Sequence, residues 1–259
     1  MFWFNHEVYL HYPMEISLNK YISNSGYCSR READQYIEQG RVTVNGVDAH
    51  KGQRVSEGVD VRVDGERIKK KVQPVYIAFN KPKGIICTTD TREKSNIIDY
   101  IRFKSRIFPI GRLDKLSEGL IFLTNDGDIV NKILRAGNRH EKEYIVQVDK
   151  PITSEFILAM RNGVRILGKV TKKCTVKQEG ANEFRIILIQ GLNRQIRRMC
   201  EALGYQVTAL KRIRIMNFTL KDIPPGKWRY FNPKEILSMG LLLKESSKTA
   251  EMEDSGMDE

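Results

Sequence analysis

From Phe108 to Thr124 the chain sets a charged, glycine-bounded segment directly ahead of an apolar run: Phe108-Pro109-Ile110-Gly111-Arg112-Leu113-Asp114-Lys115-Leu116-Ser117-Glu118-Gly119, then Leu120-Ile121-Phe122-Leu123-Thr124. A short bounded run of this composition reads as a buried strand. Any fold of the chain must bury that strand and leave Asp114 on a loop at the edge of the core, with Arg112 and Lys115 beside it. A carboxylate kept ionised by neighbouring cations is suited to nucleophilic work rather than to acid catalysis. Residue types alone favour a plainer role, because an Asp next to an Arg is most often a surface ion pair or a turn former.

Two units flank a basic break. Residues 14–71 read as helix, helix and hairpin. Leu18, Tyr21 and Ile22 share helical spacing up to Gly26. Ser29-Arg30-Arg31-Glu32 is a capping box that opens a second helix, with Ala33, Tyr36 and Ile37 inward and Gly40 at its end. Asn45-Gly46 signals a type I′ turn, and Val59, Val61 and Val63 alternate toward a second turn at Asp64-Gly65. Lys69-Lys70-Lys71, ahead of Pro74, is a linker, since a solvated charge run carries no core. Residues 75–243 read as a larger α/β body with strands at 75–79, 144–148 and 184–189. Its helices are predicted at 128–135, 153–161, 193–203 and from Asn232-Pro233 onward. Two βαβ-like stretches leave the direction of the sheet open.

A chain of 259 residues with 41% hydrophobic content suffices for two packed units. Lys and Arg number 44 against 32 Asp and Glu, a net charge of +12. The last sixteen residues hold two Lys and six acidic residues, so the rest carries 42 basic against 26 acidic side chains, an excess of +16. Such an excess favours a polyanionic partner. Residues 244–259, acidic and without aromatics, have nothing to bury and are expected to be disordered, as is an extension at 1–13. Cys28, Cys87, Cys174 and Cys200 lie far apart, and with His only at 6, 11, 50 and 140 no metal-ligand spacing is visible. The thiols read as reduced, in a cytoplasmic protein, and His140 as a surface polar residue. No apolar stretch approaches the ~20 residues that cross a bilayer. There is no phosphate-cradling loop and no dinucleotide fingerprint, so no cofactor is expected.

Four ordered blocks add a resemblance. They are Phe79-Asn80-Lys81-Pro82-Lys83-Gly84, Gly111-Arg112-Leu113-Asp114 with Ser117-Glu118-Gly119-Leu120, His140-Glu141-Lys142-Glu143-Tyr144, and Gly191-Leu192-Asn193-Arg194-Gln195-Ile196-Arg197-Arg198-Met199. Between about Leu18 and Lys234 the chain resembles the pseudouridine synthases of the ribosomal small-subunit type, and Asn131-Lys132-Ile133-Leu134-Arg135-Ala136-Gly137-Asn138 is most similar to their F-type, large-subunit branch. The N-terminal order, with Arg30 and Arg31 at a helix start, resembles the S4 RNA-binding module.

The resemblance implies an α+β fold, in which the S4-like module precedes a catalytic domain with a mixed, mainly antiparallel central sheet and a cleft across its middle. It implies isomerisation of uridine to pseudouridine in RNA without cofactor or metal. Asp114 would be the nucleophile, Arg197 its charge partner and Tyr144 the platform on which the flipped uracil stacks. Attack on the sugar and attack on the base both stay open. Arg112 would fill the vacated stack or hold a phosphate, while Lys20, Arg30, Arg31 and Arg194 contact RNA. Lys81 and Lys142 read as phosphate contacts or structural supports. The implied partner is 23S rRNA, at a domain V uridine near the peptidyl transferase centre and best reached in an assembly intermediate, with the anticodon loop of tyrosine tRNA as a second site. The implied state is a monomer. Two rival readings are a non-catalytic S4-type RNA-binding or ribosome-assembly protein, and hydrolysis of an N-glycosidic bond.

Overall fold

The computed structural model describes residues 15–56, 58–68, 73–244 and 246. The expected extension at 1–13, the Lys69-Lys70-Lys71 linker, and the expected tail except Lys244 and Ser246 lie outside the described residues. The chain divides into two compact units, Met1–Gln73 and Pro74–Glu259.

The first unit runs β1 (Ile16–Ser17), α1 (Leu18–Asn24), α2 (Arg30–Glu38), β2 (Val42–Val44), β3 (Val47–Asp48), β4 (Arg54–Val55), β5 (Val61–Val63) and β6 (Glu66–Arg67). Asn45 and Gly46 have φ of 52° and 80°, and Asp64 and Gly65 have 51° and 78°, as type I′ turns require. These turns close an antiparallel sheet of order β3-β2-β5-β6, while β1 pairs with β4. The capping box forms as expected: the Ser29 hydroxyl accepts from Glu32 N–H, and the Glu32 carboxylate accepts from Ser29 N–H. Leu18, Ile22, Ala33, Ile37, Val42, Val61 and Val63 close one core, which leaves Arg30 and Arg31 exposed on the first turn of α2.

The second unit opens with β7 (Tyr76–Lys81), α3 (Ile97–Ile101), β8 (Phe108–Ile110), β9 (Glu118–Thr124), α4 (Asp128–Leu134), β10 (Lys142–Val148) and α5 (Ser154–Asn162). It continues through β11 (Arg165–Ile166), β12 (Lys169–Val170), β13 (Thr175–Gln178), β14 (Glu183–Leu188), α6 (Gln195–Ala202), β15 (Val207–Ile215), β16 (Phe218–Thr219), β17 (Trp228–Tyr230) and α7 (Pro233–Leu242). One sheet has the order β13-β14-β10-β15-β9-β7-β17, with β16 beside β15 and β8 beside β9. Its pairings are antiparallel except where β15 meets β9, so the sheet is mixed and mainly antiparallel.

The apolar run of β9 follows from burial on both faces. Leu120 and Phe122 enter a cluster with Ile133 and Met239, while Ile121 and Leu123 enter another with Ile77, Phe79 and Ile97. A third cluster fills the other half of the sheet through Val146, Phe156, Phe184 and Met199. The two halves meet along the short parallel seam, Lys211 opposite Glu118 and Arg212 opposite Gly119. Gly119 makes that approach possible: its φ is +109°, and a Cβ there would stand 2.2 Å from the Arg212 carbonyl oxygen.

Candidate active site

Asp114 lies in the loop between β8 and β9, which pair antiparallel from Ile110 opposite Phe122 outward. The loop is pinned on both sides of the carboxylate. Leu113 is buried, and its N–H donates to Cys87 Sγ at 3.4 Å. Ser117 N–H donates to Asp114 O at 3.0 Å, and Gly84 N–H to Lys115 O at 2.7 Å. The Asp114 side chain is one-third exposed and thus reachable from solvent.

Its cations come from far along the chain. Arg197 Nε stands 3.6 Å and Arg194 Nη1 3.7 Å from Asp114 Oδ2. Arg197 is buried on the third residue of α6 and is fixed through Nη1 to Val207 O at 3.0 Å and Nη2 to the Ser117 hydroxyl at 3.4 Å. Burial disfavours its charge and Asp114 favours it; a guanidinium stays protonated in either case. The buried Arg197 Nε has no hydrogen-bond partner and faces the carboxylate at ion-pair distance. Such contacts are commonly long in a free enzyme and tighten in the complex. Arg198 turns back onto Asn193, its Nε donating to the backbone oxygen.

Strand register carries the site across the sheet. Tyr144 on β10 stands opposite Arg212 on β15, Arg212 opposite Gly119 on β9, and Gly119 opposite Lys81 on β7. Tyr144 is half-buried and packs against both the cluster around Val146 and the cluster around Phe79. An extra residue in β15, Ile213, breaks the register between Glu143 and Tyr144. That bulge sends Arg212 to the Tyr144 side and Arg214 to Glu143, with which it forms an ion pair.

Some sequence expectations need correcting. Arg112 and Lys115, beside Asp114 in sequence, are exposed; Arg197 pairs with Asp114 as the resemblance implies, and Arg194, expected on the RNA, joins it. Lys81 is fully buried, its Nζ donating to Pro82 O and Ile85 O at 2.9 and 2.8 Å. Lys142 is buried too and donates to His140 O at 2.7 Å. Burial, helped by Arg212, pushes its ammonium down to about 8. Neither ammonium is accessible, so the structural role replaces the phosphate contact for both. His140 is buried against Ser246 Oγ at 2.8 Å rather than on the surface. Arg212 and Ser117 were missed, since a basic residue inside a strand and a serine beside a motif carry no distinct signal. Arg30, Arg31 and Lys20 belong to the first unit.

Residues 75–202 match the RNA pseudouridylate synthase family, and residues 17–61 match the S4 domain. Dual-specificity RNA pseudouridine synthase RluF of Escherichia coli (strain K12) is 58% identical over 90% of this chain and 81% of its own length. The chain belongs to the RNA pseudouridine synthases. Ribosomal large subunit pseudouridine synthase B of Bacillus subtilis (strain 168) is 32% identical, over 85% of this chain and 93% of its own. A crystal structure of a pseudouridylate synthase superposes with a TM-score of 0.63 at 25% identity, covering 86% of this chain and 99% of that one. As an RNA pseudouridine synthase of the ribosomal small-subunit type, the protein isomerises uridine in RNA, and the rival reading of a non-catalytic S4 protein is not favoured. Among the described residues no helix is long and apolar enough to cross a membrane.

Proposed function

We propose that this synthase acts in the cytoplasm, as a monomer, on a uridine of 23S rRNA domain V near the peptidyl transferase centre, and also on the anticodon loop of tyrosine tRNA. The observation that carries the chemistry is the meeting of Asp114 with Arg194 and Arg197 beside the parallel seam. The reaction breaks the C1′–N1 bond of uridine and makes a C1′–C5 bond; the C5 proton leaves and N1 gains one, so mass is conserved. Asp114 attacks either C1′ or the base, and Arg197 aims the carboxylate until it does so. Tyr144 offers an aromatic face with a polar tip to the flipped uracil.

Extruding the base costs a few kcal/mol and least where it is already unpaired, which favours loops and distorted helices. Arg112, exposed beside the nucleophile, takes the vacated place or a backbone phosphate, and Arg194 completes the rim. Arg30 and Arg31, at the positive start of α2, hold phosphates elsewhere on the RNA, with Lys20 on α1. The dual specificity printed in the name of the E. coli relative supports two RNA substrates for this chain as well.

Unmodified 23S rRNA, 16S rRNA and tyrosine tRNA transcripts, incubated side by side and mapped by carbodiimide stops in primer extension, test this reading. Stops in 23S rRNA and in the tRNA are expected; modification of 16S rRNA alone would overturn it. Release of free uracil would indicate hydrolysis instead.

A further inference from the structure

Three buried cations, Lys81, Lys142 and Arg212, lie near one another, Arg212 opposing the charge of both lysines. None forms an ion pair with a carboxylate among the described residues, although Asp114 and Glu118 are near enough to favour the charge of Lys81. Lys81 and Lys142 donate to backbone oxygens. Arg212 is 5% exposed and donates from Nε to Leu120 O at 2.6 Å. Its Nη2 is buried and has no acceptor. Its guanidinium carbon sits 6.0 Å from the ring centroid of Tyr144, the residue on which the uracil would stack. Leaving a buried donor unpaired is costly, and native proteins keep few such groups without a use for them. The surplus positive charge here calls for an anion that arrives with the substrate. Arg212 lies too deep for a backbone phosphate.

We propose that Arg212 is the counter-ion for the uracil as it is detached, a catalytic role that rests on Asp114 and Tyr144 forming the reaction site. If Asp114 attacks C1′, an Oδ–C1′ bond forms, C1′–N1 breaks, and the bonding pair goes to N1 and spreads onto O2 and O4. If Asp114 adds to the base, the pair displaced from the C5–C6 double bond spreads onto O4. Either route charges the pyrimidine before C5 bonds to C1′. On the first, that bond uses the pair and frees the Asp114 carboxylate, after which C5 loses a proton and N1 gains one with no net change of charge. On the second, N1 leaves C1′ with the pair as C5 bonds there, N1 takes a proton, and loss of the C5 proton expels the Asp114 carboxylate. A fixed guanidinium in a dry site stabilises charge that exists only during reaction.

The test compares wild-type enzyme, Arg212→Gln and Arg212→Lys in single-turnover loss of the target nucleoside, read after nuclease digestion, from 23S rRNA transcripts carrying uridine or 5-fluorouridine. C5 of the fluorinated base has no proton to lose, so its rearranged product keeps the fluorine and takes up water at C6, and loss of the starting nucleoside is the common readout. Fluorine stabilises the detached base by itself, so the protein's counter-ion should matter less. On uridine RNA, Arg212→Gln should be slower by about 100-fold and Arg212→Lys by about 10-fold, the scale of losing one preorganised donor. On 5-fluorouridine RNA the Arg212→Gln deficit should shrink to about 10-fold, with RNA affinity within about 3-fold of wild type on both, since phosphate contacts lie elsewhere. An equal deficit on both RNAs with no benefit from Lys would make Arg212 a structural clamp. Weaker, less salt-sensitive binding at unchanged rate would make it a phosphate contact. Both results overturn the proposal, as does full activity of Arg212→Gln. Should Arg212→Gln fail to fold, Arg212→Lys, which keeps the charge, decides through the same comparison of the two RNAs. A wild-type enzyme that converts none of these RNAs would instead remove the assigned substrate.

Discussion

The pairing of Asp114 with Arg197 was legible only through the resemblance of their motif blocks, since residue types alone favoured a surface ion pair or a turn. The part of Arg194 was not, because ion pairing is set by folding rather than by adjacency. Arg112 stands two positions from Asp114, yet Arg194 and Arg197 supply its ion pairs. Arg197→Ala should reduce turnover by about 100-fold or more, since a nucleophile left with Arg194 alone loses orientation and charge stabilisation together. Tyr144→Phe should impair turnover more than binding; single-turnover rates beside filter-binding affinities separate the two, and full turnover would leave the hydroxyl without a role. The burial of Lys142 was likewise illegible, because its partners are backbone oxygens. Its pKa of about 8 lies below the ordinary 10.5, so between those values the unfolded chain binds more protons and this group's contribution to stability rises with pH. Wild type should therefore gain on Lys142→Met as pH rises from about 8 to 10, by up to roughly 2–3 kcal/mol in urea unfolding. A pH-independent difference would refute the buried titration.

Among the elements, those with strong local signals formed where expected. The Ser29 capping box, the Asn45-Gly46 turn and the β9 run each combine propensity with a burial pattern that agrees. Strand β15 escaped the sequence reading although it is central, because Lys211, Arg212 and Arg214 interrupt its apolar residues and the bulge at Ile213 breaks the period of two. Helix α6 begins at Gln195, two residues later than expected, after Arg194 adopts a left-handed φ of 49°. The seam itself depends on Gly119, a constraint visible only once β15 is in place. Gly119→Ala combines an unfavourable φ with a Cβ 2.2 Å from the Arg212 carbonyl oxygen, and all three nearest atoms are Arg212 backbone rather than a flexible side-chain end. Destabilisation of roughly 3 kcal/mol or more is expected, read as a large fall in Tm or loss of soluble protein. A variant with wild-type Tm and activity would show that the seam tolerates separation.

At the scale of the whole molecule, charge and fold divide the work. The compact S4 unit exposes Arg30 and Arg31 on one helix start, and the second unit carries the chemistry. Replacing both by Ala should weaken RNA binding and reduce the slope of log affinity against log salt by about one to two, with the single-turnover rate at saturating enzyme unchanged. An unchanged slope would place these arginines off the RNA. The overall α+β architecture was legible from the order of elements together with the four motif blocks, whereas the direction of the sheet needed the pairing of β9 with β15. The proposed chemistry rests on one carboxylate held by two distant arginines. Its most direct test is pseudouridine formation on a 23S rRNA transcript by wild type and by Asp114→Asn, mapped by carbodiimide stops, with RNA affinity measured in parallel. Wild type should convert one uridine and Asp114→Asn none, with an affinity within a few-fold of wild type. Measurable turnover by Asp114→Asn would contradict it.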